Sequence, residues 1–357
     1  MTRLPLPRDV ERRAARLVTA LPGSLRRGLA GRPIGRDGQV LDPHVQLVLS
    51  LRERRGVVPL DGLTPREARE HVAREALLVC GPAPDVAGVT DLEVDGAAGP
   101  LRARLYRTHE PDAPLLVYFH GGGYVTCDIE THDVPCRALC RHAGVHVLSV
   151  EYRLAPEHRF PAAVDDACAA FAWAVKNAAD LGADENRVGV GGDSAGGTLA
   201  AVVSRLSTRS GDTAPAVQLL IYPGTDRLGA HASMQTFASG YYLTAGDMAW
   251  YHAQYAGPGG GHHRDPRLSP LLAKDFGGLP PAVVVTAGFD PLRDEGEAYA
   301  ARLRAAGTPA ASRRFSSLVH GFLHMAGASP AARDALVETG GMLRAALQLT
   351  DDERRTR

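Results

Sequence analysis

From residue 89 onward the chain alternates short apolar runs with stretches of helical spacing. Residues 89–95 and 101–107 flank a Gly- and Pro-containing turn at 96–100 and predict a hairpin. Residues 115–119, 145–150, 188–190, 217–222 and 283–287 are apolar on both sides, the pattern of fully buried strands. Helical stretches at 161–179, 195–208 and 292–306 separate most of them, and a last strand at 311–315 precedes a final helix over 328–347. Two-sided strands alternating with helices predict an α/β fold, a mainly parallel sheet covered on both faces.

Before residue 85 the pattern is helical. Residues 43–54 and 65–79 each begin with proline preceded by Asp42 or Thr64, which marks two helix starts. Residues 8–20 fit a short amphipathic helix with Val10, Ala14, Leu17 and Val18 on one side. The stretch from 228 to 261 breaks the strand–helix rhythm. It clusters Tyr241, Tyr242, Trp250, Tyr251 and Tyr255 and reads as an insertion over the sheet. These boundaries predict an N-terminal arm and helical cap over 1–85 and a catalytic domain over 86–350. The first 38 residues and the insertion together are expected to form the access path.

Charge narrows the function classes. Forty basic and forty acidic residues cancel, so whole-chain charge favours neither nucleic acid nor an acidic membrane surface. Only Lys176 and Lys274 are lysines, and nine arginines against two acids lie within the first 36 residues. Five cysteines without a close Cys-x-x-Cys pair argue against a disulfide framework or a zinc site. No apolar run approaches the ~18 residues of a spanning helix. The N-terminus lacks a secretory apolar core, so a cytoplasmic location without stable membrane insertion is expected. A homodimer is left open.

The chemistry is concentrated in glycine-rich turns. Gly192-Asp193-Ser194-Ala195-Gly196 follows a strand and opens a helix, the pattern of a nucleophile elbow. Glycines relieve crowding at the tight turn, and the following helix points its positive end at the serine. A phosphate loop would need lysine at Gly197, and a dinucleotide fingerprint would need glycine at Ser194; both readings fail. His120-Gly121-Gly122-Gly123 follows the 115–119 strand, where close backbone approach suits an oxyanion hole. The expected donors are the N–H groups of Gly122, Gly123 and Ala195. His120 and Gly121 are expected to support the loop.

Asp290 lies just past the buried strand 283–287, where catalytic groups gather in open parallel sheets. His320 follows thirty residues later, between the last strand and the final helix. The order Ser194, Asp290, His320 is that of α/β-hydrolases. Asp294 is the alternative acid, expected to cap or pair locally. His320 and His324 share a zinc-helix spacing, but Gly321 stands where that motif has glutamate, so no metal is expected.

Together these residues resemble the hormone-sensitive-lipase-like family of α/β-hydrolases, in its bacterial esterase branch. Residues 152–166, Asp290-Pro-Leu-Arg-Asp-Glu-Gly296 and His320-Gly-Phe322 extend the similarity over about 40–345. The resemblance implies an eight-stranded sheet with a helical cap, and cofactor-free hydrolysis of short- to medium-chain carboxylic esters. Cys127 and Ser317 depart from glycines common in the family. The same machinery could serve an amidase or deacetylase. A non-catalytic receptor, as in the plant gibberellin receptors, is disfavoured because all three triad residues are present. A peptidase is disfavoured because the chain has no room for an accessory domain.

Overall fold

The computed structural model describes residues 28–229, 231–257 and 261–355. One eight-stranded sheet organises them. Its strands are β1 (Gly88–Gly96), β2 (Gly99–Arg107), β3 (Ala113–Phe119), β4 (His146–Val150), β5 (Ala183–Asp193), β6 (Gln218–Ile221), β7 (Ala282–Phe289) and β8 (Ala310–Val319). In space they run β8-β7-β6-β5-β3-β4-β2-β1. Only β2 pairs antiparallel with its neighbours, β1 and β4; all other pairs are parallel. The hairpin and all the predicted buried strands are present, as expected for an α/β-hydrolase fold.

Alternation along each strand divides the core in two. Leu115, Val117 and Phe119 of β3 face one apolar layer with Val190 and Val284. Leu116 and Tyr118 face the other with Leu219, Val283 and Val285. The first layer is closed by α4 (Ala162–Lys176), α5 (Ala195–Ser210) and α8 (Arg293–Ala305). The second is closed by α3 (Asp133–Ala143) and α9 (Pro330–Arg355). Both faces of the parallel strands are therefore dry, which is why their sequences read as unbroken apolar runs.

The two N-terminal helices are α1 (Pro43–Arg54) and α2 (Pro65–Val79). Each has its proline in the first turn. Asp42 accepts from His44 N and Val45 N, and Thr64 forms a reciprocal capping box with Glu67. The predicted helix over 8–20 lies outside the described residues. The insertion carries α6 (Ala232–Thr236) and α7 (Ala245–Ala256), the latter started by a Thr244–Asp247 capping box. Residues 35–36 and 39–40 form a small hairpin that the apolar pattern did not predict. Helix α3 was also unpredicted. Its buried face holds Val134, Pro135, Cys136, Ala138, Leu139, Cys140 and Ala143.

Candidate active site

Ser194 is the hinge residue between β5 and α5, with φ 53° and ψ −120°. That backbone is costly for a residue bearing a Cβ and persists only where the surroundings enforce it. Its N–H donates to Ile221 O of β6 (2.8 Å), and its carbonyl accepts from Thr198 N in α5 (3.0 Å). Phe119 of β3 sits opposite Gly192 in the parallel register. A Cβ on Gly192 or on Gly196 would collide with the Phe119 carbonyl. Both flanking glycines are thus set by the neighbouring strand.

His320 follows β8, and Asp290 follows β7. His320 Nε2 lies 2.9 Å from Ser194 Oγ, and its Nδ1 lies 2.8 Å from Asp290 Oδ2. The other oxygen of Asp290 accepts from Leu292 N at 2.8 Å, and the side chain is fully buried. A neutral imidazole donating from Nδ1 to that carboxylate presents the Nε2 lone pair to the serine hydroxyl. The Tyr222 ring packs against the imidazole, with centroids 4.5 Å apart. Asp294 points elsewhere. Its carboxylate accepts from Arg293 Nε and Ser233 N, both at 2.8 Å, which fastens α6 to the segment after β7. Burial raises the Asp294 carboxyl, but Arg293 and Ser233 bring it below its ordinary value.

The glycine loop after β3 is held by a residue that sequence reasoning passed over. Asp193, the elbow residue before Ser194, is buried and accepts from Gly121 N at 2.9 Å. It also accepts from Tyr118 OH at 2.8 Å and Tyr222 OH at 3.2 Å. His132 Nε2 lies 3.1 Å from the same carboxylate. Burial would push the Asp193 carboxyl up, yet His132 and these donors hold it well below the usual range. Gly121 N is thereby committed, while Gly122, Gly123 and Ala195 border the space beside Ser194. Gly122 has φ 109°, and its carbonyl accepts from Val125 N and Thr126 N.

His120 stacks on Tyr152 with centroids 4.4 Å apart, and its Nδ1 is 2.7 Å from Gly121 O. Tyr152 OH donates to His120 O at 2.7 Å. Burial and the nearby His132 bring the His120 imidazole down to about 4, so it stays neutral. From α2, Arg69 donates to Val125 O and Ala155 O and pairs with Glu157. The loop is thus gripped from the elbow, from the segment after β4 and from the N-terminal helices.

A cavity of about 120 Å³ opens over Ser194. Its N-terminal wall comes from α1 and α2 through Arg52, His71, Val72 and Glu75, and the insertion contributes Tyr242, Tyr251 and Tyr255. Cys127, one of the departures noted in the sequence, also borders it. Of the first 38 residues, 28–38 do not line the cavity, and the rest lie outside the described residues. No helix among the described residues is long and apolar enough to cross a membrane.

Known proteins show the same arrangement of sequence and fold. A family model described as the alpha/beta hydrolase fold matches residues 116–324. The chain is 48% identical to the carboxylic ester hydrolase LipN of Mycobacterium tuberculosis, across 86% of this chain and 84% of that protein. It is 38% identical to an ethyl acetate hydrolase of Pseudomonas putida, across 83% of this chain and 95% of the relative. Among solved structures, EstE1, a thermostable carboxylesterase cloned from a metagenomic library, superposes with a TM-score of 0.76 at 43% identity. It covers 80% of this chain and 99% of its own. The chain belongs to the α/β-hydrolase family, in the bacterial esterase branch that resembles hormone-sensitive lipase.

Proposed function

We propose that this chain hydrolyses carboxylic esters through an acyl-enzyme on Ser194. The observation that carries the reading is the unbroken hydrogen-bonded chain Ser194–His320–Asp290 beside a glycine loop. Ser194 Oγ attacks the ester carbonyl as His320 Nε2 takes its proton, and buried Asp290 stabilises the imidazolium that forms. The N–H groups of Gly122, Gly123 and Ala195 receive the oxyanion. The imidazolium then gives its proton to the departing alcohol, and water repeats the sequence to release the acid. Helices α1 and α2 and the insertion act as a cap over the catalytic domain.

The dimensions favour small acyl groups. The cavity of about 120 Å³ is below the ~150 Å³ of an apolar cavity that holds benzene. Esters with short chains fit it, and longer chains must extend toward the cap. No disulfide joins the five cysteines, all among the described residues, and four are buried, which supports a reducing, cytoplasmic setting. Replacement of Ser194 by alanine should lower kcat by about 10⁴ to 10⁶, on the precedent of serine-protease triads. A serine-directed phosphonate should label intact protein at this residue and leave the variant unlabelled. Undiminished turnover by a clean S194A preparation would refute the mechanism.

A further inference from the structure

One wall of the active-site cavity carries polar atoms that the hydrolytic machinery does not use. Tyr124, Arg227, His252 and Tyr255 all border the cavity. Tyr124 OH, Tyr255 OH, Arg227 Nε and His252 Nε2 are each buried without a hydrogen-bond partner. The two tyrosines are almost wholly buried and stack with centroids 3.9 Å apart, and the Arg227 guanidinium lies 6.0 Å from the Tyr124 ring centre. Buried donors left unmade cost about 1–3 kcal/mol each. Three donors on one wall, with an imidazole nitrogen that donates in its Nε2–H tautomer, mark a place where an acceptor is meant to sit.

The acids of the same cavity are occupied. Glu75 pairs with Arg52 at 2.9 Å and lies 3.6 Å from His71, and Asp247 closes the capping box of α7. The buried Glu295 lies outside the cavity lining; one of its oxygens accepts from Thr225 N and Asp226 N, the other has no partner, and the Arg227 charge opposes the upward push of burial on its carboxyl. Asp226, next to Arg227, pairs with His231 at 3.1 Å. Arg227, by contrast, enters no ion pair among the described residues. Burial, with the Arg227 charge second, brings the His252 imidazole down to about 4. The wall therefore presents one fixed cation, one neutral imidazole and two phenols.

Building on the esterase reading, we propose that Arg227, with Tyr124, Tyr255 and His252, binds a carboxylate carried by the substrate. The substrate class is an ester that also bears a free acid. A guanidinium and hydroxyl donors suit a carboxylate, whose two oxygens accept about four hydrogen bonds. A neutral alkyl chain would leave these donors unpaired.

The test measures kcat/KM by acid release for two matched pairs. Monomethyl glutarate against methyl hexanoate places the carboxylate on the acyl side. Acetoxybutanoate against pentyl acetate places it on the alcohol side. In the wild-type enzyme the carboxylated member of at least one pair should be favoured, and the favoured pair identifies the side. R227Q should lower that preference by about tenfold or more, and R227K should keep it within about threefold. Y255F should lower it to a smaller degree. Glutarate should inhibit hydrolysis of the neutral esters competitively, and less so in R227Q. Neutral esters preferred on both sides, or a preference unchanged in R227Q, would overturn the proposal while leaving the esterase intact. A wild-type enzyme that turns over none of the four would overturn both readings.

Discussion

Asp193 places the carboxylate that orders the glycine loop one residue from the proposed nucleophile, so both parts of the site share an anchor. D193N keeps the side-chain volume but turns one acceptor into a donor that faces Gly121 N, Tyr118 OH and Tyr222 OH. We expect kcat to fall by about 10²-fold, the scale for loss of an oxyanion donor, with a much smaller change in KM. Steady-state kinetics on a short ester would decide this, and an equal loss in kcat and stability alone would count against it. The two candidate acids can be separated similarly. D290N should cost about 10⁴ in rate, whereas D294N should retain most activity, because Asp294 holds α6 through Ser233. If D294N is the crippling change, the acid is misassigned although the family stands. That Ser194, Asp290 and His320 come together was legible because each follows a strand and carries a local motif. Asp193 was not, because nothing in five letters shows that its carboxylate reaches back across a strand to Gly121.

At the scale of elements, strands were read well wherever both faces are dry, since burial writes itself directly into apolar runs. Helices α1 and α2 were read to the residue because proline and a capping side chain fix their first turns. Helix α3 was missed although Val134, Leu139 and the two cysteines mark its buried face. Helix α8 carries a consequence of its own. Glu295 in its first turn is fully buried, and one oxygen receives Thr225 N at 2.5 Å and Asp226 N at 3.2 Å. The other oxygen has no partner. Burial pushes the carboxyl up to about 8, against the opposing pull of Arg227 and the two backbone donors. An unfolded glutamate titrates near ~4.3, so between these values the folded state binds the extra proton. Its contribution is complete below the lower value and is lost as pH rises through about 8. Thermal midpoints should therefore fall with pH across that window in the wild type and fall less in E295Q. Parallel curves for the two proteins would exclude Glu295 as the cause.

Across the whole molecule, the sheet carries the proposed catalytic groups and a separate layer supplies the walls around them. Ser194, His120–Gly123, Asp290 and His320 all follow C-terminal ends of parallel strands, the edge where open α/β sheets bind ligands. The cavity walls come instead from α1, α2 and α7, elements distant in sequence. The sequence showed these as helices and an aromatic cluster but not which of them meet over the serine, because that depends on packing between segments some 170 residues apart. A small cavity predicts that kcat/KM across a graded series of linear esters peaks at short acyl chains. It should fall by tenfold or more for long ones. A flat profile out to long chains would contradict the cavity as the limit on acyl length.

The buried cluster behind the glycine loop has a bearing on acidity. His120 is brought down to about 4 and His324 to about 3, chiefly by burial. Tyr118, Tyr152 and Tyr222 are raised well above their ordinary values for the same reason. None of these five groups changes charge between mildly acid and mildly alkaline solution. Because the proposed general base must be unprotonated to accept the serine proton, the acid limb of kcat/KM should rise with a slope of one proton per pH unit and then level off. A slope of two would mean that a second group in this cluster exchanges protons with the solvent.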